Sequence, residues 1–136
     1  MPFDGVVELD NGHILLPFYY RPIGAGKCSR PIVVEYDVSG ETPTVVQAGS
    51  AVDVTGHTRG FGEPSIVRFG GKYYMTIRSD EFGAWCESAD GLNWSAPVKW
   101  TWSDGTDLGN ANTQQHWLQI GDELYLAYTR VTADNG

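Results

Sequence analysis

The sequence predicts an all-β protein built from short antiparallel strands and tight turns. Its 136 residues include 17 glycines, five tryptophans and seven tyrosines, a composition typical of β-proteins with many turns. Three segments repeat a pattern of two apolar strands around a turn glycine, at Gly12, Gly71 and Gly121. These glycines lie 59 and 50 residues apart (71 − 12 and 121 − 71), near the propeller repeat of roughly 40 to 50 residues plus insertions. The predicted fold class is therefore a partial β-propeller of four-stranded antiparallel blades.

The first blade is predicted to span residues 5–50. It opens with Asn11-Gly12 between alternating apolar residues, which is the strongest short signal for a β-hairpin. Segment 21–30 contains a proline and two glycines and is predicted to be a loop. The strands expected in this blade are Val6–Leu9, His13–Tyr20, Ile32–Val38 and Thr44–Ala48.

The second blade is predicted over residues 62–103, after a polar, glycine-containing connection at 49–62. Its hairpin turns at Gly70-Gly71, and a tight turn at 88–94 leads from its third strand into its fourth. The strands expected in this blade are Ser65–Phe69, Lys72–Arg78, Ala84–Ser88 and Ala96–Trp102.

A third, incomplete blade is predicted over residues 112–136. Its hairpin strands, His116–Ile120 and Glu123–Arg130, leave too few residues for two more strands, so about two and a half blades are expected. A blade buries its faces against neighbouring blades, and two end faces of this chain would remain uncovered. We therefore expect a homo-oligomer that completes a ring, or else a missing remainder of the propeller.

Charge and composition exclude several classes of partner. The chain has nine Lys and Arg residues against 17 Asp and Glu residues, and its net charge of −8 argues against binding to nucleic acid. Apolar stretches fall short of the roughly 20 residues that a membrane helix needs, and the first residues do not read as a signal peptide, so a soluble chain without a membrane partner is expected. Cys28 and Cys86 are too few for a disulfide framework or a zinc site. We expect free thiols, no metal and no cofactor, and the compartment stays open.

The turn at 88–94 resembles the Asp-box of sialidase-like proteins. In that pattern a serine, an aspartate, a glycine and an aromatic residue follow one another, and Ser88, Asp90, Gly91 and Trp94 take these positions with one residue fewer between the aspartate and the glycine. A short carboxylate accepts backbone N–H groups around such a bend, and glycine tolerates positive φ. An Asp-Gly surface hairpin with a packed tryptophan is the alternative explanation of the same residues.

With its hairpins placed, the chain resembles the exo-sialidase and Asp-box (BNR) repeat family over about Val6 to Arg130. The resemblance implies a sialidase-like glycoside hydrolase propeller that is directed at carbohydrate. In that family the Asp-boxes lie opposite the catalytic cleft. The motif therefore concerns the fold, and the chemistry is expected at the other end of the blades.

The resemblance also implies roles for two residues of the second hairpin. Glu63 matches the glutamate that hydrogen-bonds the nucleophilic tyrosine, and Arg78 matches an arginine of the triad that binds the substrate carboxylate. The planar guanidinium fork suits a carboxylate because it binds both oxygens. The nucleophile, the acid and the other arginines are not assignable, although Arg130 ends the third hairpin as Arg78 ends the second. An isolated chain is therefore expected to be inactive.

Four further residues are candidates for contact with sugar. Tyr19 and Tyr20 end the first hairpin, where relatives present aromatic or hydroxyl groups to the substrate. Gln115 and His116 precede the third hairpin and offer amide and imidazole groups that recognise hydroxyls. The two tyrosines would also be explained as strand-end aromatic residues that cap a core. Gln115 and His116 would also be explained as polar loop residues beside a buried tryptophan.

Two alternatives remain open. The string EPSIVRFGGKYYM also resembles strands of five-bladed glycosidases that act on arabinosides, xylosides, mannosides or fructosides. In that interpretation Glu63 is a general acid and needs a second carboxylate across the cleft. Arg78 and the Asp-box-like turn favour the sialidase interpretation, whereas Lys72-Tyr73-Tyr74 favours the alternative. The third interpretation is a propeller module that binds glycan or has a structural role without catalysis.

Overall fold

The computed structural model describes residues 5–131, which form three antiparallel β-sheets and no α-helix. The prediction of an all-β chain with four-stranded antiparallel sheets is confirmed. Within the same range no helix is long and apolar enough to cross a membrane. The strands are β1 (Val7–Glu8), β2 (Ile14–Tyr20), β3 (Arg30–Asp37), β4 (Thr44–Ala48), β5 (Gly62–Phe69), β6 (Lys72–Arg78), β7 (Gly83–Ser88), β8 (Val98–Lys99), β9 (Gln115–Ile120) and β10 (Glu123–Tyr128).

Each sheet is a meander in which consecutive strands pair. The first sheet has the order β1-β2-β3-β4, the second has β5-β6-β7-β8, and the third consists of β9 and β10. Short turns explain this order, because antiparallel neighbours need only a tight bend between them. Residues 132–136 of the predicted third blade lie outside the described residues, and the division of the chain into blades stays a prediction.

Several strands are shorter than the sequence predicts, and β1 covers only Val7–Glu8 of the predicted Val6–Leu9. The predicted strand Ala96–Trp102 contains only β8, because the chain then folds back on itself. The backbone N–H of Trp102 donates to the carbonyl of Thr106 at 2.8 Å, and Thr101 pairs with Asp107 in an isolated bridge. The last strand, β10, ends at Tyr128, two residues before the predicted end at Arg130.

The main core lies between the first and second sheets. Alternation along the strands directs one set of apolar side chains into this interface. Gly91, in the turn after β7, also contacts the first sheet, since a Cβ on it would lie 2.4 Å from Leu15 Cδ1. The buried residues that form the core include Leu15, Val33, Phe61, Ile66, Met75, Ile77, Ala84 and Cys86.

The third sheet packs against the other face of the second through a buried polar network. The Thr76 hydroxyl donates to Gln115 Oε1 at 2.8 Å and accepts a hydrogen bond from Trp100 Nε1 at 3.0 Å. Trp100 in turn packs edge-on against Trp117 of β9, with ring centroids 5.7 Å apart. Because buried polar groups are costly without partners, this network favours one arrangement of the two sheets.

The register of β6 defines the two ends of the second sheet. Arg78 pairs with Gly62 and with Gly83 at one end, whereas Tyr73 pairs with Ser88 at the other. At about 3.3 Å per residue these ends are roughly 17 Å apart. Glu63 and the Asp-box-like turn therefore lie at opposite ends of the sheet, as the sequence led us to expect.

Candidate functional site

A cleft of about 140 Å³ opens at the end of the second sheet where β5 begins and β6 ends. The end of β2, the 21–30 loop and the connection before β5 close its other sides. Its lining residues are Tyr19, Arg21, Lys27, Ser29, Arg59, Gly60, Phe61, Gly62, Glu63, Arg78, Ser79 and Asp80.

The guanidinium group of Arg78 is held from two sides in this cleft. Its Nη1 donates to Glu63 Oε1 at 2.7 Å, its Nε donates to Asn112 Oδ1 at 3.1 Å, and its Nη2 also donates to Asn112 Oδ1. The side chains of Arg78 and Glu63 are 29% and 24% exposed, so a ligand can reach the pair from the cleft. The backbone N–H of Asn112 donates to the carbonyl of Ser79 at 2.8 Å and positions this loop.

Both residues that hold Arg78 have an unusual backbone conformation. Within residues 5–131, Glu63 and Asn112 are the non-glycine residues with positive φ, at +50° and +53°. L-residues avoid this region because Cβ approaches the following carbonyl, although asparagine tolerates it better than glutamate does. The β5–β6 register shifts between Gly62 and Ser65, and this irregularity contains Glu63. Strained backbone and bulges of this kind concentrate at functional sites, where they orient a side chain.

The cleft is locally basic in an acidic chain. Four of the nine Lys and Arg residues of the sequence line it, against two acidic residues. Both acidic residues form ion pairs there, Glu63 with Arg78 and Asp80 with Arg59, the latter at 2.6 Å. A cleft that concentrates one sign of charge attracts ligands of the other sign. The arrangement therefore suits an anionic ligand.

The structure brings one of the two predicted tyrosines to the cleft. Tyr19 lines it, and its ring lies 3.7 Å from the position that a Cβ on Gly62 would occupy. Tyr20 is exposed but is not one of the lining residues, because successive strand residues point to opposite faces.

Gln115, His116 and Arg130 are not among the residues that line this cleft. Gln115 is only 1% exposed and is hydrogen-bonded to Thr76, so the structure places it in the interior between two sheets. Arg130 lies beside Gly109, since a Cβ added to Gly109 would be 3.3 Å from the Cγ of Arg130. The roles assigned to these three residues from the sequence stay predictions.

Sequence patterns did not identify Asn112 as the partner of Arg78. The two residues are 34 positions apart, and the bond between them depends on how the third sheet packs on the second. One local signal was present, since Asn112 lies in a polar loop and asparagine is one of the few residues that adopt positive φ readily. Arg21 and Lys27 similarly reach the cleft from a loop whose composition carries no ligand-binding pattern.

The Asp-box-like turn at the other end of the sheet is hydrogen-bonded around Asp90. Its Oδ1 accepts the backbone N–H groups of Asn93 and Leu92, both at 2.8 Å, and the hydroxyl of Ser88 at 2.9 Å. The N–H of Asn93 is the largest cause that holds the pKa of Asp90 well below its usual value. Gly91 supplies a φ of +77°, and Trp94 packs against the core. These hydrogen bonds join residues within the turn and stabilise its conformation.

Across the part of the chain that the structure describes, no group of three or more His, Cys, Asp or Glu side chains is placed to hold a metal ion. Cys28 and Cys86 are both free thiols. The polar side chains that line the cleft carry guanidinium, ammonium, carboxylate, hydroxyl and phenol groups.

Comparison with known proteins gives a likeness of fold. No family model matches the chain, and no curated protein matches it in sequence. A protein of unknown function from Dyadobacter fermentans has a similar structure, with a TM-score of 0.68 and 19% identity over 92% of this chain and 33% of its own. The Trypanosoma rangeli sialidase, solved in complex with sialic acid, has a TM-score of 0.54 and 17% identity over 89% of this chain and 19% of its own. The chain therefore spans about a third and about a fifth of these two proteins.

Proposed function

We propose that this chain is a carbohydrate-directed part of a sialidase-like β-propeller, and that its cleft binds the negatively charged group of an acidic sugar. The observation that carries the proposal is the clamp on Arg78, whose two partners, Glu63 and Asn112, both have strained backbone conformations. Preorganisation of this kind reduces the cost of ordering a long side chain when a ligand binds.

Arg78 retains hydrogen-bonding capacity for a ligand. A guanidinium has five N–H donors, and three are used in the bonds to Glu63 and Asn112 within residues 5–131. The remaining N–H groups on Nη1 and Nη2 suit the two oxygens of a carboxylate. Arg21 and Lys27 add positive charge to the same cleft, and we propose that they steer the anion.

Glu63 is assigned a supporting role. Its Oε1 is bonded to Arg78, and its buried Oε2 has no hydrogen-bond partner among the described residues. Oε2 can therefore accept a hydrogen bond from a hydroxyl group, which fits the resemblance to the glutamate that contacts a nucleophilic tyrosine. Tyr19, which lines the same cleft, offers an aromatic face and a hydroxyl group. The alternative role as a general acid has less support, since Asp80, the other carboxylate of the cleft, is engaged by Arg59.

Two features of the fold support the propeller assignment. The sheets follow one another as meanders of four, four and two strands, which matches proposed blades at 5–50, 62–103 and 112–136. The Asp-box-like turn lies at the end of the second sheet that is opposite the cleft, as the family resemblance implies. Without an assigned nucleophile and acid, we propose that the chain binds glycan with no appreciable turnover, because members of a catalytic set act together.

Isothermal titration with 3′-sialyllactose and with lactose tests the proposal, since the two sugars differ by the acidic residue. We expect binding of 3′-sialyllactose only, and a loss of roughly tenfold or more in affinity for Arg78→Ala, as for removal of a charge-assisted bidentate contact. Arg68→Ala is the matched control, because Arg68 also forms an ion pair in the second sheet, with Asp10, away from the cleft.

Three outcomes would contradict the proposal. They are equal binding of lactose, an Arg68→Ala variant as impaired as Arg78→Ala, and no binding of either sugar at millimolar concentration. Turnover of a fluorogenic sialoside that disappears in Glu63→Gln would leave the cleft assignment intact but would refute the proposed lack of activity.

A further inference from the structure

The loop that brings Asn112 to Arg78 is anchored by a buried amide. Asn110, two residues before Asn112, is 0% exposed. Its Oδ1 accepts the backbone N–H of Gly83 at 3.2 Å, and its Nδ2 donates to Gln115 Oε1 at 3.1 Å. Gly83 lies directly opposite Arg78 in the pairing of β6 with β7. Asn110 therefore fastens the loop to the strand beside Arg78.

Gln115 anchors the other end of this 110–115 loop. It is the first residue of β9 and is 1% exposed. Its Oε1 accepts a hydrogen bond from the Thr76 hydroxyl at 2.8 Å as well as the one from Asn110. Within the loop, the Thr113 hydroxyl donates to the carbonyl of Asn110 at 3.1 Å. Such a buried network holds the backbone in place, because breaking it would leave polar groups without partners.

Gly83 leaves the space that the two amides occupy. A Cβ on Gly83 would lie 2.2 Å from Asn110 Nδ2 and 2.2 Å from Gln115 Nε2, much closer than van der Waals contact. Both side chains are buried and hydrogen-bonded, so they cannot move aside without losing their partners. Gly83 is not among the glycines with positive φ. The fold therefore requires glycine at this position for space and not for backbone conformation.

We propose that Asn110 and Gln115 are positioning residues of the anion-binding cleft. They fix the 110–115 loop so that Asn112 Oδ1 meets the guanidinium group of Arg78. This inference rests on the proposed function, since it assigns the preorganisation of Arg78 to the loop. Asn112, whose φ is +53°, accepts the Arg78 Nε–H at 3.1 Å. Neither Asn110 nor Gln115 lines the cleft, so both act on the ligand through Asn112.

Displacement of the loop should release one side of the guanidinium group. Glu63 would still accept the Nη1–H of Arg78, but the bonds from Nε and Nη2 to Asn112 would be lost. A ligand would then have to order the Arg78 side chain itself. Ordering one long side chain lowers affinity by roughly two- to tenfold.

Isothermal titration of Gly83→Ala with 3′-sialyllactose tests the proposal. We expect binding roughly two- to tenfold weaker than that of the unmodified chain. Asn112→Gly removes the clamp directly without adding backbone strain, and it should lose a similar amount. In the double variant the two losses should not add, because both act on the same bond to Arg78. A general loss of stability from Gly83→Ala would leave the two losses additive.

Gly49→Ala is the matched control for Gly83→Ala. Gly49 likewise has no positive φ and no space for a side chain, since a Cβ on it would lie 2.2 Å from the carbonyl oxygen of Leu92. Leu92 belongs to the Asp-box-like turn, at the end of the second sheet opposite the cleft. Gly49→Ala should therefore lower the melting temperature without changing the affinity for sugar.

Hydrogen exchange of the Arg78 Nε–H reports on the clamp without any sugar. NMR of the ¹⁵N-labelled chain follows this exchange, and the signal is identified by its absence from the spectrum of Arg78→Ala. Gly83→Ala should accelerate the exchange by roughly two- to tenfold, as for the loss of one hydrogen bond. If the unmodified chain binds no sugar, the proposed function fails, and the exchange measurement alone decides the positioning role.

Gln115→Met provides a second test, because it nearly keeps the length of the side chain and removes its hydrogen bonds. It should also accelerate the Arg78 Nε–H exchange, and it replaces Gly83→Ala if circular dichroism shows that variant to be unfolded. The inference is overturned if the folded variants leave this exchange unchanged or if Gly49→Ala accelerates it equally. Additive losses of affinity for Gly83→Ala and Asn112→Gly would also overturn it.

Discussion

Glycine in place of Glu63 should destabilise the chain less than alanine, although glycine is normally the less favourable residue in a strand. Both substitutions remove the carboxylate and its 2.7 Å bond to Arg78, so that loss cancels in the comparison. At the φ of +50° found for Glu63, steric strain of an L-residue lowers the free energy of unfolding by about 1–2 kcal/mol. Glycine avoids this strain, but its greater entropy in the unfolded chain lowers the free energy of unfolding by about 0.5–1 kcal/mol. The glycine variant should therefore be more stable than the alanine variant by about 0.5–1 kcal/mol.

Glu87 is the matched control for this comparison. It lies in β7 outside the positive-φ region and also forms an ion pair, with Lys72 at 3.2 Å. At this position alanine should be more stable than glycine by about 0.5–1 kcal/mol. Free energies of unfolding of the four variants, from urea titrations followed by tryptophan fluorescence, should show the opposite order at the two positions. If the alanine variant is more stable than the glycine variant at both Glu63 and Glu87, the argument that backbone strain is present at the Arg78 clamp is refuted.

The remaining predictions concern the turn and the thiols. The pKa of Asp90 lies well below its usual value because N–H groups, first that of Asn93, donate to it. Its contribution to stability is thus present above the unfolded pKa of 3.8 and lost as the pH falls toward the folded value. The urea midpoint should fall below roughly pH 4 more steeply for the unmodified chain than for Asp90→Asn, and parallel curves would contradict this. Burial raises the pKa of the Cys86 thiol to about 12, whereas Cys28 is partly exposed. Ellman's reagent should therefore label one thiol per native chain and none in Cys28→Ser, and two reactive thiols in the native chain would disprove this.

Local sequence patterns predicted where the strands and the hairpin turns lie, but not the length of every strand. Asn11-Gly12 and the alternation around Gly70-Gly71 predict hairpins that the structure contains, and β4 has the predicted bounds Thr44–Ala48. These features depend on residues close together in the chain, through side-chain period and the φ values that glycine permits. The short β8 was not predictable in this way, because its end depends on a bridge between Thr101 and Asp107.

Only the tertiary structure decided which side chains meet. The family resemblance suggested separate roles for Glu63 and Arg78 at one end of the hairpin, and the structure brings Arg78 Nη1 to 2.7 Å from Glu63 Oε1. Asn112 joins them from a loop 34 residues beyond Arg78, and Gln115, which the sequence suggested for ligand contact, is buried against Thr76. Both results depend on how the third sheet packs on the second. Strand periodicity specifies which face of a strand is apolar, but the relative position of two sheets follows from the packing of their side chains, which is a property of both sheets together.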